Sequence, residues 1–163
     1  MKLDIEKWLE NQEVLTENQE SLFREAIACY KARAYKAANI MTHTAFKMVI
    51  RDRLLSCETF TDEYTSGIWK EQVIEKLESS YAWENELDCL LTSDPENRVF
   101  IINFEKTRSA IVEYRRWKTY RQIIVDADTA EVHGDLVICF WASIIEDLYK
   151  FNVLSISSND IKK

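Results

Sequence analysis

The sequence predicts an all-α fold, a helical bundle of four to six helices, and three observations carry that expectation. Apolar residues recur at spacings of three and four along every long segment, the mark of one buried helical face. The 163-residue chain holds 2 Gly and 1 Pro, where average usage gives roughly 11 and 8, so turns are few and helices long. Hydrophobic residues at 47% and charged residues at 30% describe a folded chain and exclude an intrinsically disordered one. The length is that of one ordinary domain with a sizeable core. Residues 1–155 are read as a single helical-bundle domain, and 156–163 (ISSNDIKK) as a flexible polar tail.

Taken in order, residues 3–31 carry Leu3, Trp8, Leu9, Leu15, Leu22, Phe23, Ala26, Ile27 and Tyr30, of which the last five form a helical stripe. Thr16 and Gln19 have capping-box spacing, which splits a short first helix from the second. YKARAY at 30–35 turns the chain. A long helix over 35–55 follows, with a face of Tyr35, Ala38, Thr42, Ala45, Phe46 and Val49, widened by Met41 and Met48. Such a Met and aromatic stripe reads as core, not as a cofactor box. Asn39 and His43 fall at its edge, and His43 reads as a core or rim residue and not as a ligand.

Cys57–Gly67 is a polar loop and the best candidate for mobility. Residues 68–91 read as a third helix with Trp69, Val73, Leu77, Tyr81, Leu87 and Leu91 on one side. Asp94 followed by Pro95 is a helix start, an N-cap before a proline at the first helical position. VFIINF at 99–104 is locally strand-like, but no second strand offers a partner, so it is assigned to helix.

Two long helices fill 107–151, joined by an acidic turn at Asp126–Thr129. In the first, Ala110, Tyr114, Trp117, Arg121 and Ile124 share a stripe, which puts Arg121 in the middle of an apolar face. A cation there is costly unless paired, so a carboxylate from Asp126, Asp128 or another chain is expected beside it. The last helix starts after Asp128, with Glu131 at capping distance. Gly134 weakens it by about 1 kcal/mol relative to Ala, a cost consistent with close helix approach. Val137, Phe140, Trp141, Ile144, Leu148 and Phe151 form its buried stripe.

The formal net charge of −7 makes the chain a poor general nucleic-acid binder. Arg108, Arg115 and Arg116, with Lys106, Lys118 and Arg121, nonetheless make one helix basic, as a solvated face or a phosphate-binding strip. Cys29, Cys57, Cys89 and Cys139 lie far apart, which argues for no zinc site and for a reducing, cytoplasmic setting. No metal or cofactor is expected. The start MKLDIEKWLE has no apolar run, and no stretch reaches the ~20 apolar residues of a membrane span. Gly-rich phosphate loops, G-x-S-x-G and H-E-x-x-H are absent from the sequence. Glu131, His133 and Asp135 alternate, and side chains two apart on a helix diverge too far to converge on one ion.

Three segments together resemble the HEPN superfamily, small helical bundles common in prokaryotic toxin–antitoxin and phage-defence systems. YKARAYKAANIMTHTAF resembles the family's passage from first to second helix, YRQIIVDAD its catalytic segment, and DLVICFWASIIEDLYKF its apolar closing helix. The resemblance spans residues 20–151. It implies a HEPN-like bundle in which Arg121 stands at the motif arginine, Gln122 at the polar position beside it and Asp126 at the histidine position. In HEPN ribonucleases the Arg and His act on the scissile phosphate and the ribose 2′-hydroxyl, typically across a dimer interface. Asp126 departs from that pattern: a carboxylate is anionic near neutral pH and repels phosphate. His133 is a weaker candidate, farther along the chain than the motif spacing allows.

The resemblance implies a HEPN-like protein without catalysis, an interaction or RNA-associated component of a prokaryotic defence or toxin–antitoxin system. It also implies a homodimer or a related protein partner, with RNA as a candidate ligand. One alternative is an active, metal-independent endoribonuclease using Arg121 with His133. The other is an unrelated helical interaction module, such as an antitoxin, an immunity protein or a phage inhibitor.

Overall fold

The computed structural model describes residues 2–12, 15–56, 66–79, 81–92 and 104–151, without the side chains at 66, 68, 72, 92 and 104–108. The expected helix start at Asp94 and Pro95, the VFIINF run up to 103, residues 57–65 of the expected 57–67 loop and the 156–163 tail lie outside the described residues, whereas Ser66 and Gly67 of that loop are helical. The described residues are all-α, with no strand among them. In chain order they form α1 (Asp4–Glu10), α2 (Glu17–Lys31), α3 (Tyr35–Ser56), α4 (Ser66–Trp69), a π-helical turn (Lys70–Ile74) and α5 (Glu75–Glu78). Then come α6 (Trp83–Thr92), α7 (Phe104–Asp126), a 3₁₀ turn (Thr129–Glu131) and α8 (Gly134–Lys150). With α4 to α5 counted as one, that makes seven helices among the described residues, more than the four to six expected. No helix among them is long and apolar enough to cross a membrane.

The chain divides into two compact units, the first of Met1–Val49 with Arg116–Leu148. Its helix boundaries follow local chemistry. The Gln19 amide donates to Thr16 Oγ1 at 3.2 Å and the Thr16 amide donates to Gln19 Oε1 at 3.0 Å, the reciprocal capping box that separates α1 from α2. At the other end of α2, Ala34 N–H reaches Cys29 O at 2.8 Å and Arg33 N–H reaches Tyr30 O at 2.9 Å, with Arg33 at φ 62°. That is a Schellman closure with arginine in the position glycine usually takes. It turns the chain into α3 at the place expected for YKARAY.

Three contacts fix the directions of the remaining helices. A Cβ built on Gly134 would stand 2.9 Å from Tyr35 Cε1 and 3.2 Å from Tyr30 Cε2, so the start of α8 packs against the start of α3. Trp141 Nε1 donates to Thr42 Oγ1 at 2.8 Å, so α8 and α3 advance together. Lys36 Nζ donates to Ala127 O at 2.7 Å, closing the end of α7 and setting α7 antiparallel to α3. Phe23, Ala26, Phe46, Trp117, Phe140 and Ile144 are among the buried residues that fill this unit. The Phe140 ring meets Trp117 at 4.3 Å and Phe46 at 6.5 Å between centroids. Asp128 opens the 3₁₀ turn without a side-chain cap, and α8 begins only at Gly134, later than the expected start after Asp128. The Glu131 amide bonds the Asp128 carbonyl at 2.9 Å instead, which spends those residues on the tighter turn.

The second unit comprises Ile50–Arg115 and Tyr149–Lys163. Leu54, Trp69, Val73, Leu77, Leu87, Leu91, Ile111, Tyr114 and Phe151 are buried. Trp69, Val73 and Leu77 recur every four residues, which overshoots a 3.6-residue turn, and the wider π turn between them takes up the excess. The single helix expected over 68–91 is interrupted. Ser79 is extended (ψ 117°), and Tyr81, expected on the stripe, is 99% exposed. The apolar pattern resumes at Leu87, six residues past Tyr81, a step that no single helical face accommodates. Inside this unit the Tyr114 hydroxyl donates to the buried Asp88 carboxylate, and the Arg51 guanidinium lies 4.5 Å above the Trp83 ring. Burial lowers the Arg53 guanidinium to about 10.

Candidate functional site

Arg121 lies where its stripe predicts. Ala110, Tyr114, Trp117 and Ile124 on the same side of α7 are all buried, and Arg121 between them is half-buried. The carboxylate partner expected for it does not come from the turn. Asp126 is exposed and accepts from Gln122 Nε2 at 3.1 Å, one helical turn away, and Asp128 is exposed as well. Arg121 forms no ion pair among the described residues.

What Arg121 does approach is the polar row on α3. Asn39, His43 and Lys47 follow one another at intervals of four and are all buried; Asn39 was expected at the edge of the face, and His43 takes the core alternative of its core-or-rim expectation. His43 is pushed down to about 3, first by burial, then by the charges of Lys47 and Arg121. The imidazole is therefore neutral across the physiological range. Its ring lies 6.0 Å from Phe140 and is 1% exposed. The buried Asn39 Nδ2 has no hydrogen-bond partner among the described residues. Asp147 on α8 is also buried. The signal for this cluster was present in the sequence as the 39, 43, 47 spacing. It was hidden because polar residues at that spacing ordinarily mark a solvated edge.

The other candidates are not brought to this place. His133 is exposed in the segment before Gly134, and Glu131 and Asp135 are exposed beside it. No group of three His, Cys, Asp or Glu suited to a metal occurs among the described residues. Of the basic strip, Arg116 is exposed with its guanidinium 4.7 Å above the Trp117 ring. Arg115 is half-buried with its Nε inside, and the Arg108 side chain lies outside the described residues. Cys89 and Cys139 are exposed free thiols, and Cys29 is half-buried.

One stretch of α7 is apolar and open to solvent. Tyr120 and Ile123, three apart, are 39% and 56% exposed. Tyr120 leans on the Trp117 ring at 5.5 Å, and Trp117 is itself fixed by donating Nε1–H to Ser143 Oγ at 3.0 Å. Comparisons with protein-family models, curated proteins and solved structures find no match for this chain.

Proposed function

We propose that this chain is a HEPN-like helical protein without ribonuclease activity, acting through self-association or a related protein partner in a prokaryotic defence or toxin–antitoxin system. The observation that supports the reading is that neither of the chain's two histidines stands at the motif position: His43 is buried on α3 and His133 is exposed before α8. A ribonuclease of this type needs an imidazole that exchanges protons at the 2′-hydroxyl or the leaving oxygen near neutral pH. His43, the histidine whose pKa Arg121 influences, is enclosed and held neutral down to about 3. His133 is exposed on the turn, and the motif position holds Asp126, already bonded to Gln122.

The exposed Tyr120 and Ile123 on α7 support a protein contact, since aromatic side chains anchor interfaces. RNA remains the alternative ligand for the same helix through its exposed Arg116 and Lys118. Purified protein incubated with single-stranded and structured RNA in chelator is expected to leave it intact. Cleavage that disappears in Arg121→Ala sinks the non-catalytic reading and favours the endoribonuclease. Light scattering tests association: a mass of twice 19.3 kDa is expected.

A further inference from the structure

We infer that a second copy of this chain docks by two complementary surfaces of the first unit, the Arg116–Tyr120–Ile123 stripe on α7 of each copy seating in an acidic depression on α2 of the other. This rests on the proposed self-association and names the surfaces that perform it.

On α7, positions 116, 120 and 123 are spaced by four and three and share one face. That face is exposed, cationic at one end and apolar at the other. It is also preorganised. Arg116 and Tyr120 both rest on Trp117, which is held by Ser143 and Phe140, so ordering these side chains on docking costs little.

On α2, Glu17, Glu20, Ser21, Arg24, Glu25 and Ala28 line a shallow, open depression. Positions 17, 21, 24 and 28 fall on one helix face, and the small side chains of Ser21 and Ala28 keep its floor low, which leaves room for a ring. Glu20 is engaged by Arg24 at 2.7 Å, whereas Glu17 and Glu25 are exposed and form no ion pair among the described residues. Two open carboxylates around a shallow seat match a stripe with a guanidinium at one end and a phenol ring at its middle. A twofold relation makes the contact twice and closes the assembly as a dimer.

Sedimentation velocity on the full chain tests this, over about 1–100 μM protein and at about 0.05 M and 0.5 M salt. The wild type is expected to form a dimer that loosens at the higher salt. Arg116→Glu and Glu25→Lys are each expected to weaken association at least ~tenfold, and the double variant R116E/E25K to recover most of it. Both positions are exposed, and unchanged helical circular dichroism verifies the fold of each variant. A dimer that ignores both single reversals, or a double variant weaker than either single one, overturns this pairing and leaves self-association standing. A monomeric wild type overturns both. So does a monomer whose RNA binding is lost in Arg116→Glu, which would assign the stripe to nucleic acid.

Discussion

Arg33 holds a φ of 62°, a region where an L-residue with a Cβ is strained by about 1–2 kcal/mol. It does so because the α2–α3 turn closes in the Schellman pattern, whose left-handed position favours glycine. Arg33→Gly relieves that strain and loses some chain entropy in exchange, for an expected gain of about 0.5–1 kcal/mol in urea unfolding. An unchanged or lower midpoint would show that the arginine side chain contributes more than its backbone costs. His43 makes a second residue-scale case. Its folded pKa is depressed to about 3 from an ordinary 6.5, so the unfolded chain takes up a proton first as pH falls. The stabilising effect of a neutral, buried ring is complete above pH 6.5 and is lost progressively down to about pH 3. Over that window the wild type should lose stability by about 1 kcal/mol per pH unit more than His43→Gln. Parallel pH profiles for the two proteins would contradict the burial of this ring.

At the scale of the element, what was legible was what is local. The capping box at Thr16, the YKARAY turn, the extent of α3 and the buried stripe of α8 are each written within a few residues, and each appears where expected. The break at Ser79 carries no Gly or Pro, and the spacing of four runs up to it without a flaw, so only the six-residue step from Tyr81 to Leu87 betrays it in the sequence. For His43 the sequence left core and rim open, and the burial of Asn39 and Lys47 was not legible. Polar residues in a row look like a wet edge, and their burial depends on helices far away in the chain, α7 and α8. Gly134 lies between these cases. Its role in close approach was readable, and the reason is now visible as the Tyr35 ring, 2.9 Å from where a Cβ would stand, whereas the expected cost inside the helix does not arise because α8 starts at Gly134. Gly134→Ala should therefore destabilise by about 1–3 kcal/mol, the range for overpacking. Gly134→Ala combined with Tyr35→Leu, which removes the ring, should recover most of that loss. A Gly134→Ala protein as stable as wild type would mean that the ring swings aside freely.

For the whole molecule, Arg121 separates stability from association. A half-buried guanidinium without an ion pair among the described residues, flanked by the charge of Lys47 close enough for both to act on His43, does little for the isolated fold. Replacing such a cation by an apolar side chain of similar length removes a desolvation cost and leaves no orphaned carboxylate behind. Arg121→Met is therefore expected to be neutral, or more stable by about 1–2 kcal/mol, when the chain is unfolded at concentrations where it is monomeric. In the assembled protein the expectation reverses. If a partner brings an anionic group to Arg121, the same variant should bind that partner at least ~tenfold more weakly. The two measurements together discriminate among the readings. A loss of about 3–5 kcal/mol in the monomer would reveal a buried ion pair within the chain and make Arg121 a structural residue. Weakened association with an unharmed monomer would make it an interface residue.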